Sequence, residues 1–187
     1  MDENQIEKII LRIINGDLTA YKTIVKSYDV MVFNMVKNIL KDEDDIKDVC
    51  QEVFIKVYKN LKNFKYKSKF STWVIRIAYT TAINHLKKYT DNKNIKIDLE
   101  FLEQNHFTDM NPEKILEKKT ISELIHHEIS ILPLPYRTVL TLFHLQEFKY
   151  EEIIEITGLS EGTVKSHLFR ARKILKENLK KHLTDLS

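Results

Sequence analysis

The sequence predicts an all-α protein of two small helical domains joined by a flexible polar linker, the C-terminal one a helix-turn-helix domain. With only 3 Gly and 3 Pro in 187 residues, the turns that a β-rich fold requires are scarce. Apolar residues recur at helical spacing from Gln5 to about Tyr89 and again beyond Pro112. Between these tracts, residues 90–111 lose the period and gain Asn and Asp. That change marks a linker between a first domain, 1–89, and a second, 112–187.

Ile6, Ile9, Ile10 and Ile13 form the first stripe, which stops at Asn15-Gly16, a helix C-terminal signal. Asp17 can cap a second helix carrying Ala20, Tyr21 and Ile24, and Val32, Phe33, Val36, Ile39 and Leu40 make a third stripe. Asp42-Glu43-Asp44-Asp45 puts negative charge at the start of a fourth helix, where it complements the helix dipole. Ile46, Val49, Val53, Val57 and Leu61 face one way along it. The basic stretch Asn63 to Lys69 then interrupts, and a fifth helix begins near Ser71. After Pro112 come a helix through Ile115, Leu116, Ile121 and Leu124, a break at Leu132 to Arg137, and a helix through Val139, Leu142 and Phe143. Two further helices meet at Gly158-Leu159-Ser160.

Thirty basic residues against twenty-seven acidic leave a formal charge of +3, too mild by itself to require a polyanion partner. The layout is uneven: acids crowd residues 42–48 and 98–123, bases 56–69, 87–93 and 165–181. Such a layout suits a protein that meets nucleic acid on some faces and protein on others. The single Cys50 rules out an intramolecular disulfide and reads as a small core residue in a reducing cytosol. The start of the chain has no basic, apolar leader, and no run approaches ~18 apolar residues, so a cytosolic protein is expected. The seven His are scattered, the adjacent His126 and His127 point to different sides of a helix and cannot form an i, i+4 metal pair, and there is no Gly-rich phosphate loop or nucleophile elbow. No catalytic residue, metal, cofactor or small-molecule substrate is expected.

Two segments carry chemistry. In the first, Ile153, Ile154 and Ile156 can pack a short helix, Gly158 can take the left-handed turn, and Ser160 can cap the next helix. Val164, Leu168, Ala171 and Leu175 then share one face, leaving Lys165, Ser166, Phe169, Arg170 and Arg172 off it. Those side chains suit phosphates, guanine edges and thymine methyls in a major groove. A helical hairpin with a solvated basic face is the plainer alternative. In the second segment, Phe64, Tyr66, Phe70, Trp73 and Tyr79 interleave with Lys65, Lys67, Lys69, Arg76, Lys87 and Lys88, a mixture that can track phosphates and stack on unpaired bases. Here the alternative is a core of aromatics with solvated lysines, which accounts for Trp73 better than for Phe64 and Tyr66. Two wider alternatives also stand, a stand-alone helix-turn-helix regulator and a helical adaptor with no nucleic-acid role.

Taken together, the segments resemble the RNA polymerase sigma factors of the extracytoplasmic-function group in the sigma-70 superfamily, over nearly the whole chain. Gly16-Asp17 with Ala20-Tyr21 resembles the family's opening motif, DVCQEVFIKVYKNL its polymerase-binding helix, and FSTWVIRIAYTTAINHLKK its promoter-melting helix. LPLPYR with YEEIIEITGLSEGTVKSHLFRARKIL is similar to its second DNA-binding domain. The resemblance implies a non-catalytic protein that binds core RNA polymerase, through the clamp helices of the largest subunit and the flap, and directs it to promoter DNA. By position it implies that Asp48, Gln51, Glu52 and Phe54 meet the clamp helices. Thr163, Lys165, Ser166, His167, Phe169 and Arg170 would read the −35 element. Phe64, Lys65, Phe70, Trp73, Arg76, Thr80 and Asn84 would open and hold the −10 element. Thr80 stands where Asn is common, Ile154 where a small Ala is usual, and His167 where Arg is frequent. The resemblance also implies an anti-sigma factor, often membrane-anchored, that covers the polymerase-binding faces.

Overall fold

In the computed structural model, residues 2–91 and 121–184 are described, and these are helical with no strand among them. The first half comprises α1 (Glu3–Ile14), α2 (Leu18–Ile39), α3 (Glu43–Asn60), a 3-10 turn (Leu61–Asn63) and α4 (Phe70–Asp91). The second comprises α5 (Ile121–Ser130), α6 (Leu134–Leu140), a π-helical turn (Thr141–Leu145), α7 (Tyr150–Thr157) and α8 (Glu161–Thr184).

Short polar side chains set the helix ends. The Asp2 carboxylate accepts the Gln5 N–H at 2.8 Å at the head of α1, and Asp42 accepts the N–H groups of Asp44 and Asp45, both at 3.0 Å, at the head of α3. Between α1 and α2, Gly16 sits at φ +98, a region that disfavours any side chain. Asp17 follows, accepting the N–H of Thr19 at 2.9 Å and Arg12 Nη2 at 2.7 Å.

Two boundaries differ from the sequence expectation. The second and third stripes belong to one helix of 22 residues, α2, whose buried side runs through Ile24, Tyr28, Val32, Met35, Val36 and Ile39. No Gly or Pro falls between the stripes, so nothing stops the helix. Phe33 leaves that side and is 43% exposed. At the other end, α4 runs past Tyr89: Thr90 is buried, its hydroxyl donating to the Leu86 and Lys87 carbonyls. The rest of the expected linker, and the helical turn through Ile115 and Leu116, lie outside the described residues.

Packing is helix on helix. In the first half, α2 contacts α1, α3 and α4; in the second, α8 contacts α5, α6 and α7. The halves also meet, α4 against α7 and α2 against α6. One apolar core runs through both, from Ile10 and Val53 through Phe70 and Val74 to Ile153 and Val164. A smaller cluster of Ile129, Leu132, Tyr136, Leu140 and Ala171 closes the far side of α8. Cys50 is half-buried beside the main core, and burial pushes its thiol pKa up.

Candidate nucleic-acid and protein interfaces

The turn between α7 and α8 is closed by backbone and side chain together. Gly158 stands at φ +73 and its N–H returns to the Ile154 carbonyl at 2.8 Å; Ser160 Oγ then accepts the Thr163 N–H at 3.2 Å to start α8. Val164, Leu168 and Ala171 are buried, with Leu175 half-buried in line with them. Opposite them, Lys165, Ser166, Arg170 and Arg172 are exposed, and Phe169 is 69% exposed. Lys165 pairs with Glu161 at 2.6 Å along the helix surface. Arg170 Nη1 donates to the Tyr136 hydroxyl at 3.1 Å, which aims the guanidinium back over α6. Arg172 lies over the Phe143 ring at 5.4 Å and donates to His144 Nε2 at 3.1 Å. Burial first, and then the Arg172 charge, lower the His144 pKa.

His167 departs from its expected place at the DNA surface. It is 5% exposed, its ring packed edge-on against Tyr136 at 5.2 Å. Position 167 follows Val164 by three and precedes Ala171 by four, so it shares their inward face. Thr163 is half-buried and its hydroxyl lies 2.8 Å from Ser160 Oγ.

Around the loop before α4, four aromatic rings gather. Phe64 lies 5.2 Å from Phe70, 5.2 Å from Trp73 and 4.7 Å from Tyr66. Phe64 is 6% exposed and Phe70 0%, so both stand in the core and neither presents a ring face to a strand in this arrangement. Trp73 is half-buried, and Tyr66, 49% exposed at φ +54, is the aromatic that the loop offers outward. A non-glycine residue in that conformation costs on the order of 1–3 kcal/mol and persists only where its surroundings hold it, here against Phe64. Lys65, Lys67 and Lys69 are exposed beside it. Along α4, Arg76, Thr80, Asn84 and Lys88 form an exposed file at four-residue spacing, and the Thr80 hydroxyl donates to the Arg76 carbonyl at 2.8 Å.

A third feature is a groove of about 660 Å³ between α2 and α3. Gln51 and Phe54 line it, with Leu18, Tyr21, Phe33 and Ile55. Leu18 is 61% and Ile55 51% exposed, a clustering of apolar surface that marks interaction sites. The Tyr21 hydroxyl donates to the Phe54 carbonyl, which ties the groove walls, and burial raises its pKa. Asp48 and Glu52 do not line the groove; both are exposed, and Glu52 pairs with Lys56 at 2.7 Å. The sequence pattern puts Phe33 on a core stripe and leaves Ile55 and Tyr58 off the stripe of α3; in the structure all three are large apolar residues turned outward.

A helical protein with a basic helix-turn-helix in its second half and a basic, aromatic-backed helix in its first defines a two-part DNA-binding architecture. Residues 24–91 match the family model for Sigma-70 region 2, and residues 122–175 the model for Sigma-70, region 4. The RNA polymerase sigma-H factor of Pseudomonas aeruginosa is 34% identical over 185 residues, covering 96% of both chains. The ECF RNA polymerase sigma factor SigW of Bacillus subtilis is 32% identical, covering 95% of this chain and 98% of its own. Among solved structures, CnrH in complex with the cytosolic domain of CnrY aligns at TM-score 0.63 and 17% identity over 92% of this chain and 96% of that one. RpoE in complex with the anti-sigma factor NepR from Bartonella quintana aligns at 0.66 and 19% over 87% of this chain and 98% of that one; at such identities both likenesses speak for the fold. The chain belongs to the sigma-70 family, in its extracytoplasmic-function (ECF) group. Its work is promoter recognition for RNA polymerase, and it is not an enzyme. Among the described residues no helix is long and apolar enough to cross a membrane.

Proposed function

We propose that the chain brings core RNA polymerase to promoters read at two points, with α8 on the −35 element and the α4 segment on the −10 element. The observation that carries this is the exposed set Lys165, Ser166, Phe169 and Arg170 on the N-terminal half of α8, backed by a buried face of Val164, His167, Leu168 and Ala171. In a major groove Lys165 and Arg170 would meet phosphates and guanine edges, and Phe169 a thymine methyl. Thr163 supports the turn and His167 the packing of α8, so their contribution is to orient the helix.

At the −10 element the exposed file Arg76, Thr80 and Asn84, with Lys65 and the edge of Trp73, would hold an unstacked base of the non-template strand and its backbone. Phe64 and Phe70 serve this role from beneath, by fixing the shape of the loop. The groove lined by Gln51 and Phe54 receives the clamp helices of the largest polymerase subunit, with the exposed Asp48 and Glu52 of the same helix contributing outside it, and the second half meets the flap. Each half binds DNA weakly, and polymerase supplies the spacing and the effective concentration that make the pair specific. The chain acts in the bacterial cytoplasm, and an anti-sigma factor that covers the groove can hold it inactive, at the membrane where that factor is anchored there.

Purified chain added to core polymerase should co-purify with it and start transcripts at specific promoters, while free chain binds the same DNA weakly and with steep salt dependence. Tight promoter binding by the free chain, with no association with core, would instead mark a stand-alone regulator.

A further inference from the structure

One member of the outward row on α8 is tied to a side chain of another helix. Arg170 Nη1 donates to the Tyr136 hydroxyl of α6 at 3.1 Å, and Arg170 stays exposed while making this bond. Tyr136 itself is only 7% exposed: its ring belongs to the buried cluster of Ile129, Leu132, Leu140 and Ala171, and the buried His167 ring lies edge-on against it at 5.2 Å. The hydroxyl is therefore a fixed point, held from below by the packing of α6 on α8. Arg170 follows the outward Ser166 by four residues and the inward His167 by three, so it leaves α8 at the edge of the exposed face, on the side of α6. Arg172, which also leaves the buried stripe, is held by other partners, the Phe143 ring at 5.4 Å and His144 Nε2 at 3.1 Å. Loss of the Tyr136 hydroxyl should thus act on Arg170 and not on Arg172.

We infer that Tyr136 is a positioning residue for base choice: its hydroxyl holds the Arg170 guanidinium in the plane in which that group pairs with a guanine of the −35 element. The inference rests on the −35 reading above and extends it to a side chain buried beneath the DNA-facing row. A phosphate oxygen accepts from a guanidinium in many orientations. A guanine edge offers O6 and N7 as two coplanar acceptors, so only one plane of the fork serves both. The stem of arginine is long and rich in rotamers, and fixing it only when DNA arrives weakens binding. A hydroxyl bonded to one corner of the fork does part of that fixing in advance, and it does so for the planar contact more than for a backbone contact. His167 acts one step further back, since its ring helps to hold the Tyr136 ring.

The test uses core polymerase carrying the full chain, on a promoter selected with it. Each base pair of the −35 element is changed in turn, and the apparent Kd for promoter duplex is read by fluorescence anisotropy for the parent, Arg170→Ala, Tyr136→Phe and the double variant. The pair that Arg170 reads is the one whose change weakens the parent but leaves Arg170→Ala indifferent, and it should be a G·C pair. On the unchanged promoter Tyr136→Phe should bind roughly 3- to 10-fold more weakly than the parent, the scale of ordering one long side chain. Its discrimination at that pair should shrink by a similar factor, while the other −35 pairs keep their parental discrimination. In the Arg170→Ala background the Phe substitution should add less than about twofold, because the hydroxyl then has no guanidinium to hold. Tyr136→Phe keeps the ring that packs on His167, so a role confined to packing predicts parental binding, and that result overturns the proposal. Tighter binding overturns it too, since the hydroxyl would then withhold Arg170 from DNA. An equal loss in the Arg170→Ala background does the same by tracing the effect to the fold. If Arg170→Ala leaves affinity for the −35 element unchanged, the −35 reading falls and the role of Tyr136 with it. If Arg170→Ala weakens binding but no base pair depends on it, the reading stands and the positioning role alone falls.

Discussion

Phe169 and Phe70 mark the difference between the two segments proposed to read DNA. Phe169 projects from α8 at 69% exposure, on a helix whose opposite side is packed through Val164, His167, Leu168 and Ala171. Phe70 is wholly buried at the head of α4, packed among Phe64 and Trp73 under a loop whose exposed members include Lys65, Tyr66, Lys67 and Lys69. A rigid helix that enters a groove needs only an outward row of side chains. A segment proposed to open a duplex needs a loop of defined shape, and in this chain Phe64, Phe70 and Trp73 form a platform beneath that loop. Basic-aromatic composition thus means presentation in one segment and support in the other.

The largest expected effect comes from cutting that platform. Phe70→Ala removes a fully buried aromatic and should cost about 3–5 kcal/mol, read as a lower urea midpoint in equilibrium unfolding followed by circular dichroism. A loss under about 1 kcal/mol would mean that the platform is not structural. Next is Arg170→Ala, which should weaken binding to a −35 duplex by about 1–3 kcal/mol while pull-down of core polymerase is unchanged. Loss of core binding in that variant would contradict the division of labour between the halves. Phe169→Ala should leave stability within about 0.5 kcal/mol, in contrast with Phe70, yet reduce −35 binding when a thymine is present at the contacted position. An effect on the unfolding midpoint as large as that of Phe70 would erase the contrast.

The smallest effect concerns acid, and again separates the halves. Asp17, at the α1–α2 corner, has its carboxyl lowered from 3.8 to about 2 by the Thr19 hydroxyl, then Arg12, then the Ala20 N–H. A lowered carboxyl contributes stability that is present above its unfolded value and lost as pH falls through its folded one. Amide exchange at Thr19 and Ala20, corrected for intrinsic rate, should therefore quicken between about pH 4 and pH 2, and Asp17→Asn should flatten the response. The α7–α8 turn is capped by the Ser160 hydroxyl, which does not titrate, so its Thr163 amide should respond more weakly, and only through Glu161, whose carboxyl is lowered by its pairing with Lys165.

Local chemistry was legible in the sequence because each signal sits within a few residues of its effect. Asn15-Gly16-Asp17, Asp42 and Gly158 through Ser160 mark helix ends, and the stripe Ile46, Val49, Val53, Val57 and Leu61 is buried as its spacing predicts. What escaped notice has longer range or lacks a period. Phe64 lies in a loop, where no repeat tells an inward ring from an outward one, and its burial depends on α4 folding back over it. His167 carried a readable signal, its place between Val164 and Ala171, but the family position it occupies put it among the −35 contacts. Thr72 and Glu152 are 80 residues apart, so no local pattern announces that they meet. The groove walls, Leu18 and Phe33 from α2 and Ile55 from α3, become one surface only when α2 packs on α3.

Two-point promoter reading requires that one chain depend on both elements at a set spacing. Core polymerase with this chain should be assayed by run-off transcription on a promoter selected from a randomised library, then on derivatives with either element scrambled or the spacer changed by about 5 base pairs, half a helical turn. Initiation should fall at least tenfold in all three derivatives. Transcription that survives loss of the −35 element and is indifferent to spacing would contradict a two-point reader.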